Sequence, residues 1–156
     1  MECKIIPGGL ACDNRGSLRY VNDFDFAALG IKRMYHVENN TNCPIRAWHG
    51  HLKESKAIYC AKGSAIIGAI EMGKTPGTDA PSIYKRDGAS APQTFVVSSL
   101  KPGVLYIPAG MANGFRMLEP DTILIIYSTS TLADSSNDDY RFPFGPNDNT
   151  FDIEVR

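Results

Sequence analysis

Ile45-Arg46-Ala47-Trp48-His49-Gly50-His51-Leu52-Lys53-Glu54-Ser55-Lys56 is the stretch whose reading decides the fold. On a regular strand, alternate residues face the same side. That places Arg46, Trp48 and Gly50 on one side, and Ala47, His49 and His51 on the other. The two imidazoles would then stand about 7 Å apart on one face. Such a pair suits either a metal ion or acid/base chemistry near neutral pH. All three histidines of the chain lie between His36 and His51. His36 sits in Tyr35-His36-Val37 with no second polar signal beside it, so it reads as structural.

The flanking sequence consists of short apolar and β-branched runs. Ser17–Val21, Arg33–Val37, Lys56–Ala61, Ser64–Ile70, Thr94–Ser98, Val104–Ile107 and Thr122–Ser128 read as strands. Lys62-Gly63 reads as a hairpin turn between two of them. Pro7-Gly8-Gly9, Asp13-Asn14-Arg15-Gly16, Lys101-Pro102-Gly103, Pro108-Ala109-Gly110 and Glu119-Pro120-Asp121 are further turns. Many short strands at close spacing predict an all-β antiparallel sandwich or barrel. Phe24–Leu29 is expected to form one turn of helix. Met72–Pro92 and Ala133–Asp139 read as loops. With 156 residues, no long linker and no repeat, residues 1–156 are expected to form one domain.

Composition removes several function classes. Sixteen Lys+Arg against seventeen Asp+Glu give a net charge of −1, so no bulk field draws nucleic acid or anionic lipid. No apolar run is long enough to span a membrane as a helix. The start, Met-Glu-Cys-Lys, lacks a secretion pattern, so a cytoplasmic protein is expected. Cys3, Cys12, Cys43 and Cys60 are then expected to be reduced thiols, and none forms a C-x-x-C pair.

The histidine spacing resembles the first cupin motif, His-x-His with a Gly twelve positions on, here Gly63. Where that motif carries a metal-binding Glu, this chain has Lys56. Pro108-Ala109-Gly110-Met111-Ala112-Asn113 resembles the second motif, with Asn113 in place of its His. A cation and an amide at two of four ligand positions argue against a divalent metal and against a metal-dependent oxygenase. Glu54 is a spare carboxylate whose spacing is off by two residues.

Further blocks resemble the dTDP-4-dehydrorhamnose 3,5-epimerases and the dTDP-sugar 3,4-ketoisomerases. They are Asp13-x-Arg15-Gly16, Glu38-Asn39-Asn40-Thr41, Arg46-Ala47-Trp48-His49, Ser55-Lys56 through Lys62-Gly63, Tyr106 through Gly114-Phe115, and Tyr127. The resemblance implies a cupin-type double-stranded β-helix, an antiparallel jelly roll without a metal or other cofactor. It implies a homodimer acting on a nucleotide-linked 4-keto-6-deoxy sugar in deoxysugar or surface-polysaccharide synthesis. Carried over by position, Arg15 and Arg46 would bind the diphosphate, with Asn113 also in the substrate site. His49 would be the base, Lys56 would lie at the keto oxygen, and Tyr127 would return the proton on the opposite face. Trp48 either packs in the core or stacks on the nucleotide. His51 matches the ketoisomerase His-x-His-Lys block, in which two histidines move a proton between C3 and the C4 side.

The residue chemistry agrees. A C4 ketone acidifies the protons at C3 and C5, and imidazole is a suitable base. A cation at O4 stabilises the enediolate. Arginines bind phosphate oxygens bidentately. One departure is that Tyr140-Arg141-Phe142-Pro143-Phe144-Gly145 lacks the Asp that orients the base in the epimerases; Asp138, Asp139 and Asp148 are the candidates to replace it. Three functions are therefore carried forward: an epimerase of C3 and/or C5, a 3,4-ketoisomerase, and a non-catalytic sugar-binding cupin.

Overall fold

The computed structural model describes residues 2–40, 44–83 and 91–153. Cys43, Thr41 and part of the Met72–Pro92 loop lie outside the described residues. In chain order the strands are β1 (Lys4–Pro7), β2 (Gly9–Asp13), β3 (Gly16–Tyr20), β4 (Arg33–Glu38), β5 (Arg46–His51), β6 (Lys56–Lys62) and β7 (Ser64–Glu71). There follow β8 (Gly73–Lys74), β9 (Pro81–Ser82), β10 (Gln93–Ser98), β11 (Gly103–Ile107), β12 (Met111–Met117) and β13 (Ile123–Ser128). A short helix, α1 (Leu132–Ser136), and β14 (Tyr140–Arg141) complete the order.

Two five-stranded antiparallel sheets carry the fold. The first runs β1-β11-β6-β13-β4 and the second β10-β7-β12-β5-β14. Consecutive long strands alternate between them: β4 to β5, β6 to β7, β10 to β11 and β12 to β13 each change sheet. This is the expected jelly roll. One expected local detail differs. Lys62-Gly63 is not a hairpin turn but a corner between sheets, since β6 pairs with β11 and β13, and β7 with β10 and β12. Turn residues mark a reversal of direction; they do not say whether the next strand returns beside the last one.

The inner faces supply the main core: Ile58, Cys60, Leu105, Ile107, Leu124 and Ile126 from the first sheet, with Ile67, Val97, Met111 and Met117 from the second. In β13 the period-2 pattern is clean, with Leu124, Ile126 and Ser128 buried and the residues between them half-buried. β7 shows no such alternation because both its faces are covered. Trp48, Ile66, Ile70 and Phe151 form a second cluster behind this sheet, with Phe142 and Phe144 against it. Phe24, Ala57 and Val104 form a third behind the first sheet, with Tyr59, Tyr106 and Tyr127. The chain from Phe24 to Leu29 makes the single helical turn expected of it and does not continue as a helix; Leu29 N–H donates to Asp25 O at 3.1 Å. A short helix overlaps the expected 133–139 loop, started by Thr131, whose Oγ1 accepts from the Asp134 amide at 3.2 Å. Among the described residues no helix is long and apolar enough to cross a membrane.

The Gly63 corner has a specific chemical requirement. Its φ is +72°, and a Cβ there would collide with the Thr122 side chain. Thr122 Oγ1 donates to Ser64 O at 3.1 Å, and Cys60 Sγ donates to Gly63 O at 3.2 Å. Gly77 also has positive φ, +79°, but open space around it. Gly63→Ala should therefore lower stability by more than the roughly 1–2 kcal/mol of left-handed backbone alone. Gly77→Ala should cost no more than that. Urea unfolding of the two variants checks this; equal midpoints would contradict it.

Candidate active site

The site is built from cross-strand rows at one end of the sandwich. In the second sheet, Arg141 of β14 and Asn113 of β12 flank His49 of β5 in register. In the first sheet, Arg33 of β4 and Lys56 of β6 flank Ser128 of β13. Tyr35, Ile126 and Ile58 form the next inward-facing row. Two adjoining hollows share Tyr35, His49 and Lys56. The inner one also borders Arg46, Asn113 and Phe115. The outer one borders His51, Arg33, Asp139, Arg141 and the helix residue Leu132.

Arg46 reaches this face because β5 is irregular. Asn113 pairs with His49 and Phe115 with Arg46, so the register shifts between them. Ala47 and Trp48 together oppose Gly114, and the extra residue reverses the parity. The alternation expected from the sequence is thus corrected. Arg46, His49 and His51 share the hollow side, while Trp48 turns to the outer cluster. There Trp48 is 2% exposed, its Nε1–H donates to Asp148 Oδ2 at 2.8 Å, and Phe151 lies 5.2 Å away. It packs in the outer cluster and borders neither of the two hollows that hold His49.

Tyr127 is corrected for a similar reason. It neighbours Ile126, which faces inward, so it faces outward, packed on Phe24 and Phe26 at 5.1 and 5.3 Å. A hydroxyl in the hollow comes instead from Tyr35. Its position opposite Ile126 follows from strand pairing, which was not readable from Tyr35-His36-Val37. Arg15 is also placed elsewhere in this chain. It lies at the β2–β3 turn, ion-paired with Asp13 and largely exposed, in a separate surface hollow. Asn113 is in the site; its Nδ2 donates to His49 O at 3.2 Å. His36 is exposed beside Glu38, at 3.5 Å.

None of the three candidate aspartates orients His49 by a described hydrogen bond. Asp148 serves Trp48. Asp138 accepts from the amides of Leu52, Lys53 and Glu54 at 3.0, 2.8 and 3.2 Å, holding the turn into β6. Asp139 borders the outer hollow and accepts two bonds from Arg141 at 3.1 and 3.0 Å. The buried carboxyl beneath the site belongs to Glu54, 2% exposed. Its Oε1 accepts from Ser128 Oγ at 2.9 Å and lies 3.4 Å from the Arg33 guanidinium.

Burial and neighbouring cations set the charge states. Lys56 is buried, and desolvation holds its ammonium below the usual lysine range, opposed by Glu54 and Asp139. His49 is lowered by burial first, then by Arg141 and Lys56. His51 is lowered by burial, then Lys56, against Glu54. Tyr35 is raised by burial, then Glu54, which keeps its hydroxyl protonated. The site therefore offers neutral imidazoles, a phenol and a buried lysine amine whose ionisation is weakened. Among the described residues no three His, Cys, Asp or Glu side chains cluster to hold a metal ion. Cys3, Cys12 and Cys60 are free thiols, and none borders either hollow.

No protein-family profile matches this chain, and no curated protein matches it by sequence. Solved structures do match in fold. A dTDP-4-dehydrorhamnose 3,5-epimerase from Bacillus anthracis, with TDP and PPi bound, superposes with a TM-score of 0.70 at 18% identity, covering 97% of this chain and 83% of that one. A 3,4-ketoisomerase from Helicobacter canadensis gives 0.65 at 19% identity, covering 91% and 92%. The 3'-monoepimerase ChmJ from Streptomyces bikiniensis, in complex with dTDP-quinovose, gives 0.69 at 15%, covering 97% and 73%. These are the two enzyme groups that the sequence resembles, and the fold is theirs.

The lowered imidazoles predict a pH effect on stability. Near pH 6.5 the unfolded chain binds more protons than the folded one. The stability these two rings contribute is therefore full above that value and declines as pH falls below it. The urea midpoint should be lower at pH 5.5 than at pH 7.5, and His49→Asn should reduce the difference. A flat profile would contradict neutral burial of these rings.

Proposed function

We propose that this chain is an isomerase of a nucleotide-diphosphate sugar carrying a C4 ketone, epimerising C3 and/or C5. The observation that carries this reading is the placement of His49 and Lys56 on opposite sheets of one hollow. His49 takes the proton from the carbon beside the ketone. The electron pair moves onto O4 as the enediolate, and Lys56 stabilises that oxygen from the facing sheet. Tyr35, on the wall opposite His49, delivers a proton to the other face of the same carbon. Arg46 binds the diphosphate, and Asn113 contacts the sugar while bracing the His49 strand.

Arg15 acts from a second copy on this reading. Every residue of β3 is exposed in the single chain, which suits a hairpin reaching into a homodimer partner. A dimer by light scattering, and weaker dTDP binding in Arg15→Ala, are the expected results.

A second reading has one observation in its favour. His51 stands on the same wall as His49, and a second imidazole there suits carrying the proton to C4 with the ketone moved to C3. Proton NMR of dTDP-4-keto-6-deoxyglucose in deuterated water separates the two. Deuterium at C3 or C5 with the C4 ketone retained supports the epimerase; a C3 ketone supports the ketoisomerase. Binding with no exchange at any carbon would leave the non-catalytic sugar-binding reading. His49→Asn should abolish exchange. Tyr35→Phe should slow epimerisation by roughly 10²-fold or more, well beyond the effect of Tyr127→Phe. Undiminished exchange in His49→Asn would remove it as the base.

A further inference from the structure

We propose that Glu54 is a positioning residue that holds His51 protonated on Nδ1, so that Nε2 is left as a proton acceptor on the side of the hollow. The observation is a pair of orphaned atoms. Among the described residues, His51 Nδ1 and Glu54 Oε2 are buried without any hydrogen-bond partner. They lie 3.6 Å from each other. Burial without a partner is costly for both groups, and a movement of a few tenths of an ångström joins them. Ring nitrogens are distinguished by what each one bonds, so this contact selects the tautomer.

The direction of the proton follows from the surroundings. Ser128 Oγ donates to Glu54 Oε1 at 2.9 Å, and Arg33 lies 3.4 Å from the same oxygen. Both favour the carboxylate. A carboxylate facing an unprotonated Nδ1 would set lone pair against lone pair, whereas Nδ1–H satisfies both atoms. The other charged groups about the pair are consistent. Lys56 comes from β6, Arg33 from β4, Arg141 from β14, and Asp138 and Asp139 from the segment before it. Burial first and then Lys56 disfavour an imidazolium, and Asp138 is already committed to three amides. Arg33 also ties the pair to the helix at the mouth, donating to Ser135 Oγ at 2.9 Å. The carboxylate–imidazole pair thus forms at His51, from a residue three positions along the same turn, although the C-terminal segment provides none for His49.

The tautomer stands on geometry alone; its consequence for turnover rests on an isomerase reading in which His51 takes part in moving the proton. Long-range ¹⁵N NMR of the full chain without substrate, assigned with His51→Asn, reads the tautomer directly. Protonated Nδ1 and bare Nε2 are expected at pH 7.5, with Nε2 gaining proton occupancy in Glu54→Gln. Solvent exchange into dTDP-4-keto-6-deoxyglucose should fall roughly 10–100-fold in Glu54→Gln, with a displaced pH profile and partial recovery in Glu54→Asp. Should Glu54→Gln fail to fold, the wild-type tautomer and the Glu54→Asp profile decide the matter. A wild-type ring protonated on Nε2, or a tautomer and pH profile unmoved by substitution, overturns the proposal. Absence of exchange in the wild type, with the expected tautomer present, overturns the isomerase reading and leaves the positioning role intact.

Discussion

A lysine amino group and a carboxyl group are enclosed together at one end of an apolar sandwich. Lys56 is 7% exposed and Glu54 2%. Removing such groups from water costs several kcal/mol each unless compensated. The compensation is local. Glu54 faces Arg33 and Ser128, while Glu54 and Asp139 favour the charge on Lys56. The turn that carries both is held by Asp138 through three amides, and Ser55 Oγ accepts from the Ala109 amide. The backbone of the second-motif loop and the charges of the first are thereby one unit.

Enclosure also explains the chemistry on offer. Burial, then Lys56 on β6 and, for His49, Arg141 on β14, press the two imidazoles toward neutrality, so they accept protons near physiological pH. The same cations would favour an oxygen that gains negative charge over a neutral carbonyl. No single side chain has this effect. It comes from rows on two sheets that meet only when the sandwich closes.

The outer faces have a different role. Trp48 and Tyr127, both plausible ligand-contacting aromatics, are spent on the second and third clusters. Those clusters cover sheet faces that would otherwise be wet. They keep β5 and β13 in place, and so fix where His49 and Ser128 point. Trp48 and Tyr127 bear on the site through the position of the strand, without entering the hollow.

Much of this was written locally in the chain. Alternating and continuous apolar runs specified seven strands, because the side-chain period of a strand is a property of the backbone. The His49–His51 spacing, Lys56 in place of a carboxylate and Asn113 in place of a histidine pointed to acid/base chemistry in a jelly roll. The rest depended on pairing. A shift of register between β5 and β12 moved Arg46 toward His49 and Trp48 away. The pairing of β4 with β13 brought in Tyr35 and excluded Tyr127. The addition of β14 beside β5 supplied Arg141. Glu54, three residues from His51, became its buried neighbour because a turn folded both inward. Residue types and spacing decided which chemistry was possible; the register between strands distant in sequence decided which residues meet, since parity is set by hydrogen bonds to a neighbour and not by the strand itself.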